Sequence, residues 1–177
     1  MVQADAEHVY RAEVARLFDT ELEDIAGANE LLASINVPMC VVSNGPVSKM
    51  QHSLGKLNML HYFPEKLFSG YDIQRWKPDP ALMFHAAKAM NVNVENCILV
   101  DDSSAGAQSG IDAGMEVFYF CADPHNKPIV HPKVTTFTHL RNYRNCGRRV
   151  VGILRHSYSH SLHLLHLNWH AKVSKGS

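Results

Sequence analysis

No apolar run in this chain exceeds a handful of residues; Val37–Val42 and Val117–Cys121 are among the longest. A membrane-crossing helix needs roughly 18 or more, so no transmembrane segment is expected. The opening MVQADAEHVYRAEV carries neither a basic nor an apolar leader-like stretch, and no signal peptide is read there. Four cysteines (Cys40, Cys97, Cys121 and Cys146) form no CxxC pair. That spacing argues against a zinc ribbon or a disulfide framework and for buried thiols in a cytoplasmic protein. Walker A, GxGxxG, HExxH and GxSxG texts are all absent, which removes several nucleotide-binding and hydrolase classes. Net charge is lacking too, with 17 basic against 17 acidic residues. What is present is 46% hydrophobic residues over 177 positions, enough for one domain with a real core.

Charge is unevenly placed. All 17 acids fall in residues 1–140, while residues 141–177 hold seven Lys/Arg, five His and no acid. Ordinary sequence is about 25% charged with both signs mixed. A compositional seam therefore lies near Leu140, and the two sides are read separately.

Before the seam, helical and strand periods alternate. Asp5–Phe18 and Ala28–Ile35 repeat apolar residues near a spacing of 3.6, as do Val47–Leu57 and Ala81–Met90. Met39–Ser43 (MCVVS), Cys97–Val100 (CILV) and Met115–Cys121 (MEVFYFC) are short continuous apolar runs, the signature of strands buried on both faces. Lys66–Gly70 is a further short strand candidate, and Ser103–Ala113 a helix of small residues. The alternation predicts an α/β fold, a Rossmann-like parallel sheet with flanking helices. Ligands of such sheets bind beyond the C-terminal ends of strands. That singles out Ser43-Asn44-Gly45 after one run and Asp101-Asp102-Ser103 after another.

Two adjacent carboxylates at a strand end repel when both are ionised, and a divalent cation relieves that. Mg²⁺ prefers oxygen ligands, with one or two carboxylates plus water and phosphate. The plainer alternative is that one Asp caps the next helix and the other is solvated. Ser43, Asn44 and backbone N–H groups at a Gly turn could hold a phosphate, or simply cap a helix. Lys77, in KPDP, reads alone as an exposed loop lysine, yet a cation is what phosphoryl transfer needs.

Taken in order, VVSNG, KPDP about thirty residues on, and LVDDSSAGAQSGIDAG resemble the haloacid-dehalogenase-like hydrolases over roughly Asp5–Leu140. The stretch FSGYDIQRWKPDPALMFHAAKAM resembles the branch that hydrolyses small sugar phosphates, of the 6-phosphogluconate type. The resemblance implies a Mg²⁺-dependent phosphoric monoester hydrolase working through an aspartyl-phosphate. It assigns Ser43, Asn44, Gly45 and Lys77 to the phosphoryl group, with Ser43 and Lys77 catalytic, and Asp101 and Asp102 to Mg²⁺. Ser103 would cap the following helix, and Gly106, Gly110 and Gly114 would let it pack closely and then stop. The implied partner is a small phosphorylated sugar or sugar acid. Neither a membrane nor nucleic acid is expected, and oligomeric state is not legible.

The family's first motif, DxDGT, does not occur; Asp19-Thr20 follows no apolar strand and is rejected as the nucleophile. Residues 1–26 then read as a remnant of a helical cap, 27–140 as an α/β core without its central first strand, and 141–177 as a basic, His-rich tail outside the fold. Such a chain is expected to be a catalytically incomplete fragment. The tail has the look of a shifted reading frame. The alternatives are a non-catalytic phosphate- or metal-binding module using Ser43, Lys77, Asp101 and Asp102, a Zn²⁺ or Ni²⁺ site at His156, His160, His163 and His170, and a nucleic-acid surface of the tail's basic residues with Tyr143, Tyr158 and Trp169.

Overall fold

The computed structural model describes residues 25–123 and 125–140, together with the backbone of residues 162–165. All of these fall within the unit Ile25–Asn168. The expected cap remnant lies almost wholly outside the described residues.

Six strands form one parallel sheet: β1 Met39–Ser43, β2 Leu67–Ser69, β3 Cys97–Asp101, β4 Glu116–Phe120, β5 Val134–Phe137 and β6 Leu162–Leu165. Their spatial order is β2-β1-β6-β3-β4-β5, and every neighbouring pair is parallel. The intervening helices are α1 Ala28–Ser34, α2 Val47–Lys56, α3 Gly70–Ile73, α4 Ala81–Ala89 and α5 Ser104–Asp112.

The continuous apolar runs are explained by what lies on each face. Successive residues of a strand point to opposite sides. Cys40, Val42, Cys97, Leu99, Val117 and Tyr119 join one core cluster with Leu82, Met83, Ala86 and Ala87 of α4 and Ala107 of α5. Met39, Val41, Ile98, Val100 and Phe118 join the other, with Ala28, Leu31 and Leu32 of α1 and Met50 and Leu54 of α2. The sheet is thus sandwiched between two helical layers. Each fully buried Leu, Val or Phe contributes about 1.5–3 kcal/mol, so both faces must be apolar.

One glycine within α5 shows how closely that layer approaches, and another just after it shows how the segment ends. A Cβ at Gly110 would meet Leu99 Cδ2 at 2.6 Å and Val117 Cγ2 at 2.8 Å. Gly114, at φ +84°, ends the segment in the left-handed region that glycine tolerates. The close packing and the turn read from the sequence are both present.

Observed elements depart from expectation in three places. Gly70–Ile73 is a short helix, begun by Ser69, whose side chain accepts from the Tyr71 N–H at 3.1 Å. Val134–Phe137 is an added edge strand, only partly buried along VTT, so it lacks the apolar signature of the inner strands. The third departure is central. The tail expected to lie outside the fold supplies β6, which stands between β1 and β3 where a middle strand was expected to be missing. Met39, Cys40 and Val41 are in register with His163, Leu164 and Leu165. Cys97 through Val100 are in register with Leu162 through Leu165. The physical reason is the demand of the ladders. Two buried inner edges would otherwise leave backbone groups unpaired at about 1–3 kcal/mol each, and LHLL is an uncharged run of strand length.

Two predictions follow from these positions. Leu164→Pro removes a ladder donor in a central strand and should lower unfolding free energy by about 1–3 kcal/mol in a denaturant titration. An unchanged midpoint would place β6 outside the sheet. Burial pushes the Cys97 thiol up from 9.0 to about 11 and the Cys40 thiol higher still, through burial first and then the neighbouring Cys97. Native chain should therefore spare both from iodoacetamide near about pH 8.5, whereas unfolded chain reacts at both. Between pH 9 and 11 the native state holds thiol protons that the unfolded state has lost, so these groups cost stability as pH rises. Cys97→Ala should flatten that fall.

Candidate active site

The C-terminal ends of β1 and β3 flank β6, and the singled-out residues gather there. Ser43 is the last residue of β1 and is half-buried. Its Oγ accepts the Gly45 N–H at 3.0 Å. Ser69, at the end of β2, donates its hydroxyl to the Gly45 carbonyl at 2.8 Å. The turn after β1 is therefore held from both sides. A Cβ at Gly45 would stand an ordinary 3.5 Å from Ser43 Oγ, so this glycine is not demanded by space.

Lys77 corrects the reading of an exposed loop lysine: it is 5% exposed. Its ammonium donates to Asp101 Oδ2 at 3.1 Å, and both side chains are 1% exposed or less. Asp101 Oδ1 accepts from the Ser103 N–H at 2.8 Å and the Ser103 hydroxyl at 2.7 Å. Ser103 in turn accepts the Gly106 N–H at 3.0 Å, capping α5 as expected. A Cβ at Gly106 would fall inside the Asp101 carboxylate. The glycine thus makes the room in which a fully buried aspartate sits against the first turn of a helix.

Burial lowers the Lys77 pKa below its ordinary value, and Asp101 works against that by attraction and by its hydrogen bond. Asp102 also favours the charged form. The lysine, 24 residues away in sequence, is the structure's answer to the expected repulsion of the two aspartates. Breaking such a buried pair by removing one partner costs about 3–5 kcal/mol.

Asn44 makes contacts that the sequence did not suggest. Its Oδ1 accepts the Lys77 N–H at 2.8 Å, and its Nδ2 donates to the Lys77 carbonyl at 3.1 Å. The Gly45 N–H is likewise spent on Ser43 rather than offered to a ligand. Two further supports carried no signal in the sequence because their partners are distant in the chain. The buried Ser109 of α5 donates to the Asp79 carbonyl at 2.9 Å. Asn126 donates to the Asp102 carbonyl at 3.2 Å, tying the segment after β4 to the site. Asp79 accepts the Ala81 N–H at 2.8 Å and starts α4.

The donor set bears on a metal. Among the described residues no group of three or more His, Cys, Asp or Glu could hold an ion, so a closed cage of the zinc type is not formed by them. Asp101 is engaged by Lys77 and Ser103, whereas Asp102 is only partly buried. One partly exposed carboxylate beside a second suits Mg²⁺, which completes its shell with water and phosphate oxygens. Of the tail's candidate zinc and nucleic-acid residues, only His163 is described, and only in its backbone; the others lie outside the described residues.

Comparison with known proteins finds relatives in sequence and structures of like fold. A family model described as haloacid dehalogenase-like hydrolase matches residues 1–114. A 6-phosphogluconate phosphatase of Escherichia coli (strain K12) is 86% identical over 140 residues, 79% of this chain and 63% of that protein. Hexitol phosphatase A of the same organism is 31% identical over 106 residues, 55% of this chain and 47% of that protein. The chain thus spans less than two thirds of the length of either relative. A solved haloacid dehalogenase-like protein of Agrobacterium tumefaciens has TM-score 0.69 at 21% identity, covering 84% of this chain and 70% of that one. A HAD family hydrolase of Deinococcus radiodurans, solved with bound phosphate and sodium, has TM-score 0.63 at 22% identity, covering 72% and 60%. At such identities the two structures speak for the fold alone.

The two helical glycines make opposite predictions. Gly106→Ala should press on Asp101 and destabilise by about 1–3 kcal/mol. Gly55→Ala, where an added Cβ meets nothing within 4 Å, should stabilise by about 0.5–1 kcal/mol. Denaturant midpoints of the two variants check both signs.

Proposed function

The chain belongs to the haloacid dehalogenase-like hydrolases, and from that premise we propose that it binds the phosphoryl group of a small sugar-acid phosphate of the 6-phosphogluconate type. The observation that carries this reading is the buried Lys77–Asp101 pair at the strand ends, whose lysine backbone is bonded to Asn44, the neighbour in sequence of the half-buried Ser43. An ammonium has three donors and spends one on Asp101, which leaves donors for phosphoryl oxygens. Ser43 Oγ accepts from Gly45, so its own proton can be given to the ligand. These two residues, rather than the Asn44 side chain or the Gly45 N–H, are the phosphoryl contacts we assign.

Asp102, with Asp101 beside it, would hold Mg²⁺, whose charge stabilises a phosphoryl group when bound. The family route also needs an aspartyl nucleophile, and the 177 residues contain no DxDGT text. We therefore assign binding without turnover to this chain. Three buried free thiols, Cys40, Cys97 and Cys121, suit a reducing compartment, and the cytoplasm is the location proposed. Among the described residues no helix is long and apolar enough to cross a membrane.

Thermal unfolding with and without inorganic phosphate and Mg²⁺ tests the reading. Phosphate at 100 times its Kd should stabilise by about 2.7 kcal/mol, and Ser43→Ala should weaken the response. Incubation with 6-phosphogluconate should release no phosphate. A melting temperature indifferent to phosphate would remove the binding reading. Phosphate release abolished by Asp102→Ala would overturn the assignment of binding without turnover.

A further inference from the structure

We propose that Asn44 is a positioning residue, which fixes the loop carrying Lys77 so that the ammonium stays seated between Asp101 and the phosphoryl site. The proposal rests on the phosphoryl reading above for its ligand, and on geometry for the rest.

Three facts support it. First, the amide of Asn44 uses its oxygen and its nitrogen on the same residue, taking the Lys77 N–H at 2.8 Å and giving to the Lys77 carbonyl at 3.1 Å. An amide pairing with one residue's N–H and C=O copies the way a neighbouring strand would hold it. A hydroxyl or a carboxylate cannot do both, because the first lacks the span and the second lacks a donor. Secondly, Lys77 lies in a loop, outside every helix and strand, so no ladder of its own fixes its backbone. Further along, that loop is pinned at Asp79 by Ser109, and the Asn44 side chain holds Lys77 itself. Thirdly, Asn44 adjoins Ser43 directly, and the turn containing them is braced by Ser69 through Gly45. The clamp, between residues 33 apart in the chain, therefore ties the loop of the hydroxyl and the loop of the ammonium into one unit.

A buried ammonium gains nothing from loop freedom. If the loop drifts outward, Lys77 recovers water and Asp101 is left buried without its cation. The clamp acts against that drift, so its loss should show at Lys77 before it shows in the rest of the fold.

Reductive methylation with formaldehyde, mapped by peptide mass spectrometry, reads the effect without any ligand. In the parent chain Lys77 should resist labelling while exposed lysines react. In Asn44→Ala, Lys77 should become at least several-fold more reactive with far-UV circular dichroism unchanged. Asn44→Asp keeps the acceptor for the Lys77 N–H but loses the donor, and should fall between the two. Calorimetric titration with inorganic phosphate supplies the second arm, where Asn44→Ala should weaken binding roughly tenfold, the scale of one charge-assisted hydrogen bond. If Lys77 stays protected in both variants, the proposal is overturned. If Asn44→Ala unfolds outright, Asn44→Asp decides: labelling of Lys77 ahead of the other lysines supports the clamp, and labelling only together with them overturns it. A parent chain that binds no phosphate, yet exposes Lys77 in Asn44→Ala, would sink the phosphoryl reading and leave the clamp standing.

Discussion

The buried ion pair between Lys77 and Asp101 is the constraint around which this fold is arranged. Taking two opposite charges out of water costs several kcal/mol each, and their attraction repays this only when the remaining hydrogen-bonding capacity is met. Here the aspartate's second oxygen receives two bonds from Ser103. The lysine's backbone is bracketed by Asn44, and its loop is held at Asp79 by Ser109. The pair therefore draws on β1, β3, α5 and the loop before α4 at once. A structure that accepts such a cost at the end of a parallel sheet has charged groups in place before any ligand arrives, which is what electrostatic preorganisation requires.

Packing and chemistry meet on α5. Its small residues read from the sequence as a close-packed helix, and one face does serve that end, with Gly110 against Leu99 and Val117. Gly106 serves the site instead, since any side chain there would occupy the space of the Asp101 carboxylate. Four residues apart, the two glycines lie on one helix stripe. The same close approach that seals the core thus brings the helix N-terminus over the carboxylate, and its Ser103 cap becomes the aspartate's partner.

Much of the sheet was legible because buried parallel strands advertise themselves: MCVVS and CILVD are apolar on both faces, and their ends named Ser43, Asp101 and Asp102. Four helices followed from period with boundaries within a residue, whereas the short one at Gly70–Ile73 did not, and the helix read at Asp5–Phe18 lies outside the described residues. The site was legible in its members and less so in their tasks. Nothing local says that the lysine of KPDP is buried, because its burial depends on an aspartate 24 residues on. Asn44 looked like a ligand group since an amide beside a Gly turn suits phosphate; only the fold reveals that its partner is a backbone 33 residues distant. VTTF escaped notice because an edge strand needs little apolar surface.

The compositional seam at Leu140 is not a boundary of the fold, and the sheet explains the difference. A change from mixed charge to none but basic residues marks a change in surface chemistry. The centre of a parallel sheet asks for something else: consecutive backbone donors and acceptors in strand conformation, with no charged residue and no proline among them. LHLL meets that backbone demand whatever surrounds it in sequence, although its histidine departs from the wholly apolar MCVV and CILV. Two inner edges, β1 and β3, present complete rows of groups to whatever strand stands between them, and the register with β6 runs along Met39–Val41 on one side and Cys97–Val100 on the other. Composition reports the average of a segment, whereas a ladder selects four residues from it. Segment averages therefore describe the tail as foreign to the domain, while backbone pairing makes part of it the middle of the sheet.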